Sequence, residues 1–160
     1  MTKVNLIYGV GDVLHTHLNI NPFATEDVEG IIRDDIVNLD KHVDDSELEE
    51  LVAIDVIDYL SPAQIEIVLD NWIKKIRIGG SIILGGIDLL EVCKSLSQYR
   101  IDITEANLLI HGEQEKPYMI RKANFTAMGL AGYLESRFNF QIIKKRINNY
   151  KMIVEARRYQ

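Results

Sequence analysis

The sequence contains one cysteine, Cys93, and no apolar run long enough to cross a membrane. A single thiol excludes an internal disulfide framework and is typical of proteins that work in a reducing compartment. The first residues also lack the basic segment and apolar stretch of a secretory signal. We therefore predict a cytoplasmic protein with no membrane partner.

Basic residues are in the minority, with 18 Lys and Arg against 24 Asp and Glu and a net charge of −6. Proteins that bind a nucleic-acid backbone usually present a basic face, so this balance argues against nucleic acid as the main partner. Residues 141–158 are a basic exception. We interpret them as charged edge strands, which prevent aggregation between sheets.

Metal-ligand clusters are also missing from the sequence. His15 and His17 lie two residues apart, but no cysteine or carboxylate group accompanies them at ligand spacing. We interpret both as polar loop residues and predict no metal site.

Apolar residues make up 47% of the 160 residues, which supplies a core for one domain over residues 1–160. The clearest element is a helix over Ser61–Ile76. Ser61 is a good N-cap, Pro62 suits the first helical position, and Gln64 completes a capping box. The glycines at 79 and 80 are expected to end this helix. One face carries apolar residues spaced three and four apart, namely Ile65, Val68, Leu69, Trp72, Ile73 and Ile76.

The other segments alternate between strand and helix patterns. The expected strands are Val4–Tyr8, His17–Ile20, Gly30–Arg33, Leu51–Ile54, Ser81–Leu84, Phe140–Ile147 and Tyr150–Arg157. Strands that alternate with helices predict a parallel α/β sheet with helices on its faces. The last two strands are joined at Asn148-Asn149, which predicts an antiparallel hairpin at one edge.

Helix and loop segments fill the rest of the chain. Asp44–Leu51 is helix-prone, a turn is expected at glycines 85 and 86, and residues 100–125 predict a short strand and a long loop. Thr126 is expected to cap a helix. A further helix is marked by Leu89, Leu90, Cys93 and Leu96, with Cys93 as a core residue.

Three blocks of sequence resemble the class I S-adenosylmethionine-dependent methyltransferases. "HLNINP" is similar to the second strand of small members, and "LVAIDVIDYLSPAQIEIVLDNWIKKIRIGGSIIL" to their fourth strand, following helix and fifth strand. "KPYMIRKANFTAMGLAGYLESRFNFQIIKKRI" is similar to their last helix and penultimate strand. The resemblance covers nearly the whole chain and implies a Rossmann-like, doubly wound, mostly parallel seven-stranded sheet with a C-terminal antiparallel hairpin.

The resemblance also implies a site for S-adenosylmethionine. The glycines of "LIYGVGDV" would bring backbone close to the amino-acid part of this cofactor, because they have no Cβ. Side chains after the second, third and fourth strands would hold the ribose, the adenine and the reacting end. The implied cofactor-binding residues are Gly9, Gly11, Asn19, Ile20, Asp34, Asp35, Asp55 and Val56.

Candidate residues for the reaction lie nearby. Asp55 is predicted to position the methyl acceptor or take its proton, and His111 is the residue of the long loop suited to proton transfer at neutral pH. The acceptor itself is not identified by the sequence. The candidate substrate contacts are Asp58, Tyr59 and Tyr118.

Two alternatives stay open at the level of sequence. Seven residues separate Gly11 from Asn19, too few for a full helix and a strand entry, and Asn19 replaces the usual ribose carboxylate. Both features favour a non-catalytic relative that keeps the fold to bind a partner. The second alternative is a nicotinamide- or nucleotide-binding α/β protein, although Leu14 stands where the third glycine of that motif belongs.

Overall fold

The computed structural model describes residues 2–25 and 28–159. The described chain forms seven strands and four α-helices. The strands are β1 (Thr2–Leu6), β2 (Leu18–Ile20), β3 (Ile31–Ile32), β4 (Leu48–Ile54), β5 (Ile76–Ile87), β6 (Phe140–Asn148) and β7 (Lys151–Arg158). The helices are α1 (Pro62–Lys75), α2 (Leu89–Ser97), α3 (Ile103–His111) and α4 (Ala127–Phe138).

The strands form one sheet in the order β3-β2-β1-β4-β5-β7-β6. The pairs from β3 to β5 are parallel, whereas β7 runs antiparallel to both β5 and β6. This arrangement confirms the predicted mostly parallel sheet with a C-terminal antiparallel hairpin. It also brings the carboxyl ends of β1, β2 and β4 together at one edge, where open α/β sheets bind ligands.

Helix α1 follows its sequence pattern closely. The Ser61 backbone N–H donates to Gln64 Oε1 at 3.3 Å, which is half of the expected capping box. Its apolar face is buried, and Trp72 at the centre of that face donates from Nε1 to the Ile36 carbonyl at 2.7 Å. This bond ties residues 33–47, which the structure describes as turns and irregular chain, to the helix.

The two faces of the sheet differ in burial. Val4, Leu51 and Ile82 share one face and are fully buried, together with the apolar faces of α1 and α4. The next residues along the strands point the other way, and Glu50 and Ile83 are only partly buried there. Both α1 and α4 connect strands across the sheet in the same direction, so a right-handed crossover places them on the same face.

The helix layer is reduced in the first half of the chain. Residues 7–17, all described, connect β1 to β2 without a helix, and no helix occurs in the described part of the next connection, residues 21–25 and 28–30. The part of the sheet face opposite α1 and α4 therefore carries no helix from these connections, and we call it the open face. Asn5 and Val52 lie on this face and are buried even so. No helix among the described residues is long and apolar enough to cross a membrane.

Several local predictions are wrong for tertiary reasons. Residues 44–47 form turns and β4 begins at Leu48, so Asp44–Leu51 is not helical; its acidic residues match a helix pattern, but Leu48 pairs in the sheet. Residues 100–125 contain helix α3 in place of a strand, capped by Asp102, which accepts from the Glu105 N–H at 2.8 Å. Helix α2 buries Val92 and Ser95 and exposes Cys93, which is therefore not a core residue.

Both glycine pairs, at 79–80 and 85–86, lie inside the twelve-residue strand β5, and α1 ends before them at Lys75. The strand is irregular at the first pair, where Gly79 has φ +82° and the register with β4 shifts, and it is regular at the second pair. A Cβ on Gly85 would press on the Met152 carbonyl of β7, at 2.9 Å. At the hairpin, the connecting residues are Asn149 and Tyr150, both with positive φ, one position later than predicted.

Candidate functional site

The glycine turn follows β1 and faces the ends of β2 and β4. Gly9 has φ +81°, a conformation that favours glycine, and the next residue, Val10, is strongly exposed. The turn is held by Asn21, whose Oδ1 accepts from the Gly9 N–H at 3.1 Å and whose Nδ2 donates to the Gly9 carbonyl at 3.1 Å. The glycine turn is therefore fixed in place by the first residue after β2.

The side of Gly9 that lacks a Cβ is covered by Tyr118. A Cβ built on Gly9 would overlap the Cβ, Cγ and Cδ2 atoms of that tyrosine. Tyr118 belongs to the short turn Pro117–Met119 and lies more than a hundred residues away along the chain. The close approach that glycine permits at this turn is thus used by the protein's own aromatic ring.

Tyr118 belongs to a group of four aromatic side chains, Tyr8, Phe23, Tyr59 and Tyr118, which we call the aromatic cluster. Tyr8 stacks on Tyr59 with a centroid distance of 5.6 Å and meets Phe23 edge-on at 4.9 Å, and Phe23 lies 5.0 Å from Tyr118. Burial, and secondarily the charge of Asp35, raises the pKa of Tyr8; burial also raises the pKa of Tyr59. Both hydroxyls therefore stay protonated at neutral pH.

Asn19 lies in the middle of β2 and is directed into the protein. Its Oδ1 accepts from Asn5 Nδ2 at 2.8 Å and from the Leu14 N–H at 3.0 Å. Its Nδ2 donates to the carbonyls of Leu14 and His17, each at 3.0 Å. Asn19 thus holds the loop that connects β1 to β2 without a helix, and the first residue after β2 is Asn21.

Asp55 ends β4 in a left-handed conformation, with φ +54°. Such backbone is unfavourable for a residue with a Cβ and is often found at functional sites. Its Oδ2 lies 3.3 Å from Lys151 Nζ, whereas the buried Oδ1 has no hydrogen-bond partner among the described residues. Asp55 therefore has one oxygen paired with Lys151 and one that is buried without a hydrogen-bond partner in the described part of the chain.

Asp58 lies deeper than Asp55 and is fully buried. Its Oδ2 accepts from Arg121 Nη1 at 2.7 Å and from the Ile87 N–H at 3.1 Å. Burial raises the pKa of Asp58 to about 6, against the lowering effects of the Ile87 N–H and the Arg121 charge. A Cβ on Gly86 would collide with this carboxylate, so glycine at that position makes room for Asp58.

Two cavities meet at Asp55. The first, about 340 Å³, lies between the glycine turn and the sheet and is lined by Gly11, Asp12 and Ile54 among others. The second, about 350 Å³, lies under α3 and is lined by Tyr8, Tyr59 and Arg121 among others. Val10, Asp55 and Lys151 line both cavities. Each volume lies within the range of small-molecule pockets, and together the cavities flank one carboxylate.

The remaining predicted residues are distributed unevenly around this site. Ile20 and Val56 are fully buried in the core. Asp34 accepts from the Asp35 N–H at 2.7 Å and bonds His42 Nε2 at 3.0 Å, and these contacts, the backbone one first, lower the pKa of Asp34. His111 ends α3 and lines neither of the two cavities at Asp55.

Sequence reasoning missed Asn21, Arg121, Lys151 and Phe23. Asn21 could have been found from the end of its strand, because Pro22 follows it directly. The other three come from segments far along the chain or from loops without a pattern. Within residues 2–25 and 28–159, no three His, Cys, Asp or Glu side chains gather as metal ligands.

Comparison with solved structures shows the fold of class I S-adenosylmethionine-dependent methyltransferases. A SAM-dependent methyltransferase from Thermotoga maritima matches with a TM-score of 0.64 and 13% identity, over 98% of this chain and 82% of that one. A 1,6-didemethyltoxoflavin-N1-methyltransferase from Burkholderia thailandensis, solved with 1,6-didemethyltoxoflavin and S-adenosylhomocysteine, matches with a TM-score of 0.61 and 8% identity, over 99% and 72%.

Other neighbours are considerably longer than this chain. An O-methyltransferase family protein from Burkholderia thailandensis matches with a TM-score of 0.55 and 8% identity, over 81% of this chain but only 36% of its own length. No family model and no curated protein matches the sequence. The comparisons therefore establish the fold, and activity has to be argued from the site.

Proposed function

We propose that this protein binds S-adenosylmethionine at the carboxyl ends of β1 and β4 and transfers its methyl group to a small acceptor. The observation that carries the proposal is the meeting of two cavities at Asp55, beside a glycine turn. A methyl transfer needs two adjoining pockets, one for the donor and one for the acceptor, with a narrow junction between them. The fold shared with known methyltransferases supports the same assignment.

The cofactor fits this site on one side of the glycine turn. The cavity beside Gly11 and Asp12 offers exposed backbone, and the partly exposed carboxylate of Asp55 lines the same cavity. On the other side, Tyr118 fills the space above Gly9, so that side admits a ligand only when the tyrosine moves. Gly11, Asp12 and Asp55 are therefore the residues that would hold the cofactor.

The protein's contribution to the reaction would be placement and proton control. When bound, S-adenosylmethionine supplies a methyl group on a sulfonium that leaves without acid assistance. Asp55 would accept the acceptor's proton or a hydrogen bond from it, and Lys151, whose Nζ lies 3.3 Å from Oδ2, would hold this carboxylate in place. The stacked Tyr8 and Tyr59 would hold the acceptor against the junction.

Calorimetric titration with S-adenosylmethionine and S-adenosylhomocysteine tests the proposal. We expect both to bind the wild-type protein, and we expect Gly11→Val to weaken binding by about tenfold or more. The added Cβ would lie 3.0 Å from Ile7 Cγ2, and both residues line the cavity. Gly132→Ala is the control, since a Cβ at that position meets open space on α4. Absence of binding by both compounds at millimolar concentration would refute the proposal.

A non-catalytic binding protein is the second candidate. Two observations favour this function: Tyr118 covers Gly9, and Asn19 and Asn21 form their hydrogen bonds within the chain. In such a protein these side chains hold the fold and need no ligand. Failure of both compounds to bind, with the protein folded, is its expected result. Binding of a nicotinamide nucleotide in place of either would support the nucleotide-binding alternative.

A further inference from the structure

We propose that residues 112–122 form a lid over the glycine turn, with Tyr118 as its plug and Arg121 as its anchor. A ligand reaches Gly9 when the tip of the lid lifts and Tyr118 leaves the turn. The proposal rests on the proposed function in one respect, namely that the cofactor, held at Gly11, Asp12 and Asp55, also extends across the turn into the space above Gly9. It adds a conformational step that controls access to the site.

The lid is a compact loop with closely spaced ends. The Arg121 N–H donates to the His111 carbonyl at 3.0 Å, so the chain enters and leaves the loop at one place. Inside the loop, the Gln114 N–H donates to the Met119 carbonyl at 3.3 Å. Gly112 begins the loop with φ +76°, and a Cβ there would collide with the Met119 carbonyl. The loop can therefore move as a unit about its two ends.

The anchor of the lid lies in the core. The Arg121 guanidinium contacts the buried carboxylate of Asp58 at 2.7 Å and lies 5.1 Å from the centroid of the Tyr59 ring. The Asp58 carbonyl also accepts from the N–H groups of Lys122 and Ala123, at 2.7 and 3.1 Å. Because one buried residue holds both backbone and side chain, this end of the lid stays in place when the tip moves.

The tip of the lid is held by much less. Residues 113–117 are exposed, and Tyr118 is the member of the tip that reaches into the aromatic cluster, against Phe23. Segments with few buried contacts open at low free energy compared with the whole fold. The asymmetry between a buried anchor and an exposed tip defines the hinge: Gly112 and Arg121 are fixed, and the segment between them lifts.

A closed lid reduces the apparent affinity of any ligand that needs the space above Gly9. The observed dissociation constant equals the intrinsic one divided by the fraction of open protein. Removing the ring of Tyr118 removes this competition without touching Gly11, Asp12 or Asp55. Variants of Tyr118 therefore distinguish two roles. If the ring blocks the site, its removal raises the affinity for the ligand; if the ring contacts the ligand, its removal lowers the affinity.

The first test is calorimetric titration of wild type, Tyr118→Ala and Tyr118→Phe with S-adenosylhomocysteine. We expect the alanine variant to bind about tenfold more tightly than wild type, as a lid open about a tenth of the time requires. Tyr118→Phe keeps the ring and is expected to bind like wild type. Unchanged or weaker binding by Tyr118→Ala would overturn the lid and leave the proposed function standing.

The second test needs no ligand. Amide hydrogen exchange is measured by mass spectrometry on wild type, Tyr118→Phe and Tyr118→Ala. We expect the alanine variant to exchange faster in residues 8–11 and 112–120, with α1 unchanged, because Tyr118 covers the glycine turn. Wild-type exchange rates in those residues would overturn the lid. If exchange in these residues is faster in Tyr118→Ala, but S-adenosylmethionine and S-adenosylhomocysteine bind none of the proteins, the lid is supported and the proposed function fails.

Discussion

Replacing Arg121 with methionine is expected to lower the free energy of unfolding by about 3 kcal/mol at pH 7.5. Arg121 is the charge partner of Asp58, whose side chain is 1% exposed. Without the guanidinium, a buried carboxylate loses its ion pair and one of its two hydrogen bonds on Oδ2. Methionine keeps much of the apolar length of the side chain. The loss of stability is therefore due mainly to the missing charge and not to a cavity.

The same substitution is expected to be much milder at pH 5. The pKa of Asp58 is already raised to about 6 from an unfolded value of 3.8, chiefly by burial, and loss of Arg121 raises it further. A raised folded pKa means that the folded protein binds the extra proton. The contribution of protonated Asp58 to the free energy of unfolding is complete below about pH 4 and is lost as the pH rises through the folded pKa. In the variant that loss extends to higher pH, so the difference from wild type grows between pH 5 and pH 7.5.

Urea unfolding of both proteins at pH 5 and pH 7.5 measures this difference. Arg137→Met is the control, because Arg137 pairs with Glu66 on the surface at 2.6 Å and both side chains are largely exposed. We expect the control to change stability by less than about 0.5 kcal/mol at either pH. An Arg121→Met penalty that is equal at the two pH values, or larger at pH 5, would contradict our account of Asp58.

Replacing Trp72 with alanine is expected to lower the free energy of unfolding by about 4 kcal/mol. Trp72 is fully buried on α1, and its indole N–H donates to the Ile36 carbonyl at 2.7 Å. The substitution leaves a cavity and an unpaired carbonyl in residues 33–47, which have no helix of their own. One side chain thus supports both the helix layer and the connection from β3 to β4.

Unfolding of the Trp72 variant is followed by circular dichroism, because the substitution removes the protein's single tryptophan. Ile67→Ala is the matched control, since Ile67 lies on the same helix and is 67% exposed. We expect that control to stay within about 0.5 kcal/mol of wild type. A comparable loss in the two variants would contradict the assignment of the effect to burial of the indole, because alanine raises helix propensity at both positions.

Much of the fold was predictable because it depends on local patterns. Helix α1 carries its cap, its first proline and its apolar face within one stretch, and the terminal hairpin follows from two strand patterns around Asn149. The errors occur where tertiary contacts override local preference. Residues 44–47 turn into β4 because Leu48 pairs in the sheet. Gly85 and Gly86 stay in the strand, where the Met152 carbonyl and the Asp58 carboxylate leave no room for a Cβ.

The candidate site was predictable only in part. A glycine turn after a buried strand, and an acid after the fourth strand, stand at positions that the family resemblance indicates, and Gly9, Gly11 and Asp55 were proposed on that basis. Tyr118 and Arg121 act through contacts with residues more than sixty positions away, and no periodic pattern marks them. Their roles follow from the path of the chain after α3, which the sequence analysis predicted as a strand and a loop.

Because one face of the sheet carries no helix layer, neighbouring positions along a strand differ in the substitutions that they tolerate. Val4, Leu51 and Ile82 are surrounded on the helix side, so a change in volume there has no space to be absorbed. Glu50, Ser81 and Ile83, one step away along the same strands, adjoin solvent. A library covering residues 81–84 of β5, where partly buried and fully buried positions alternate, should therefore show tolerance to substitution that also alternates residue by residue. A sheet covered by helices on both faces would not show this alternation.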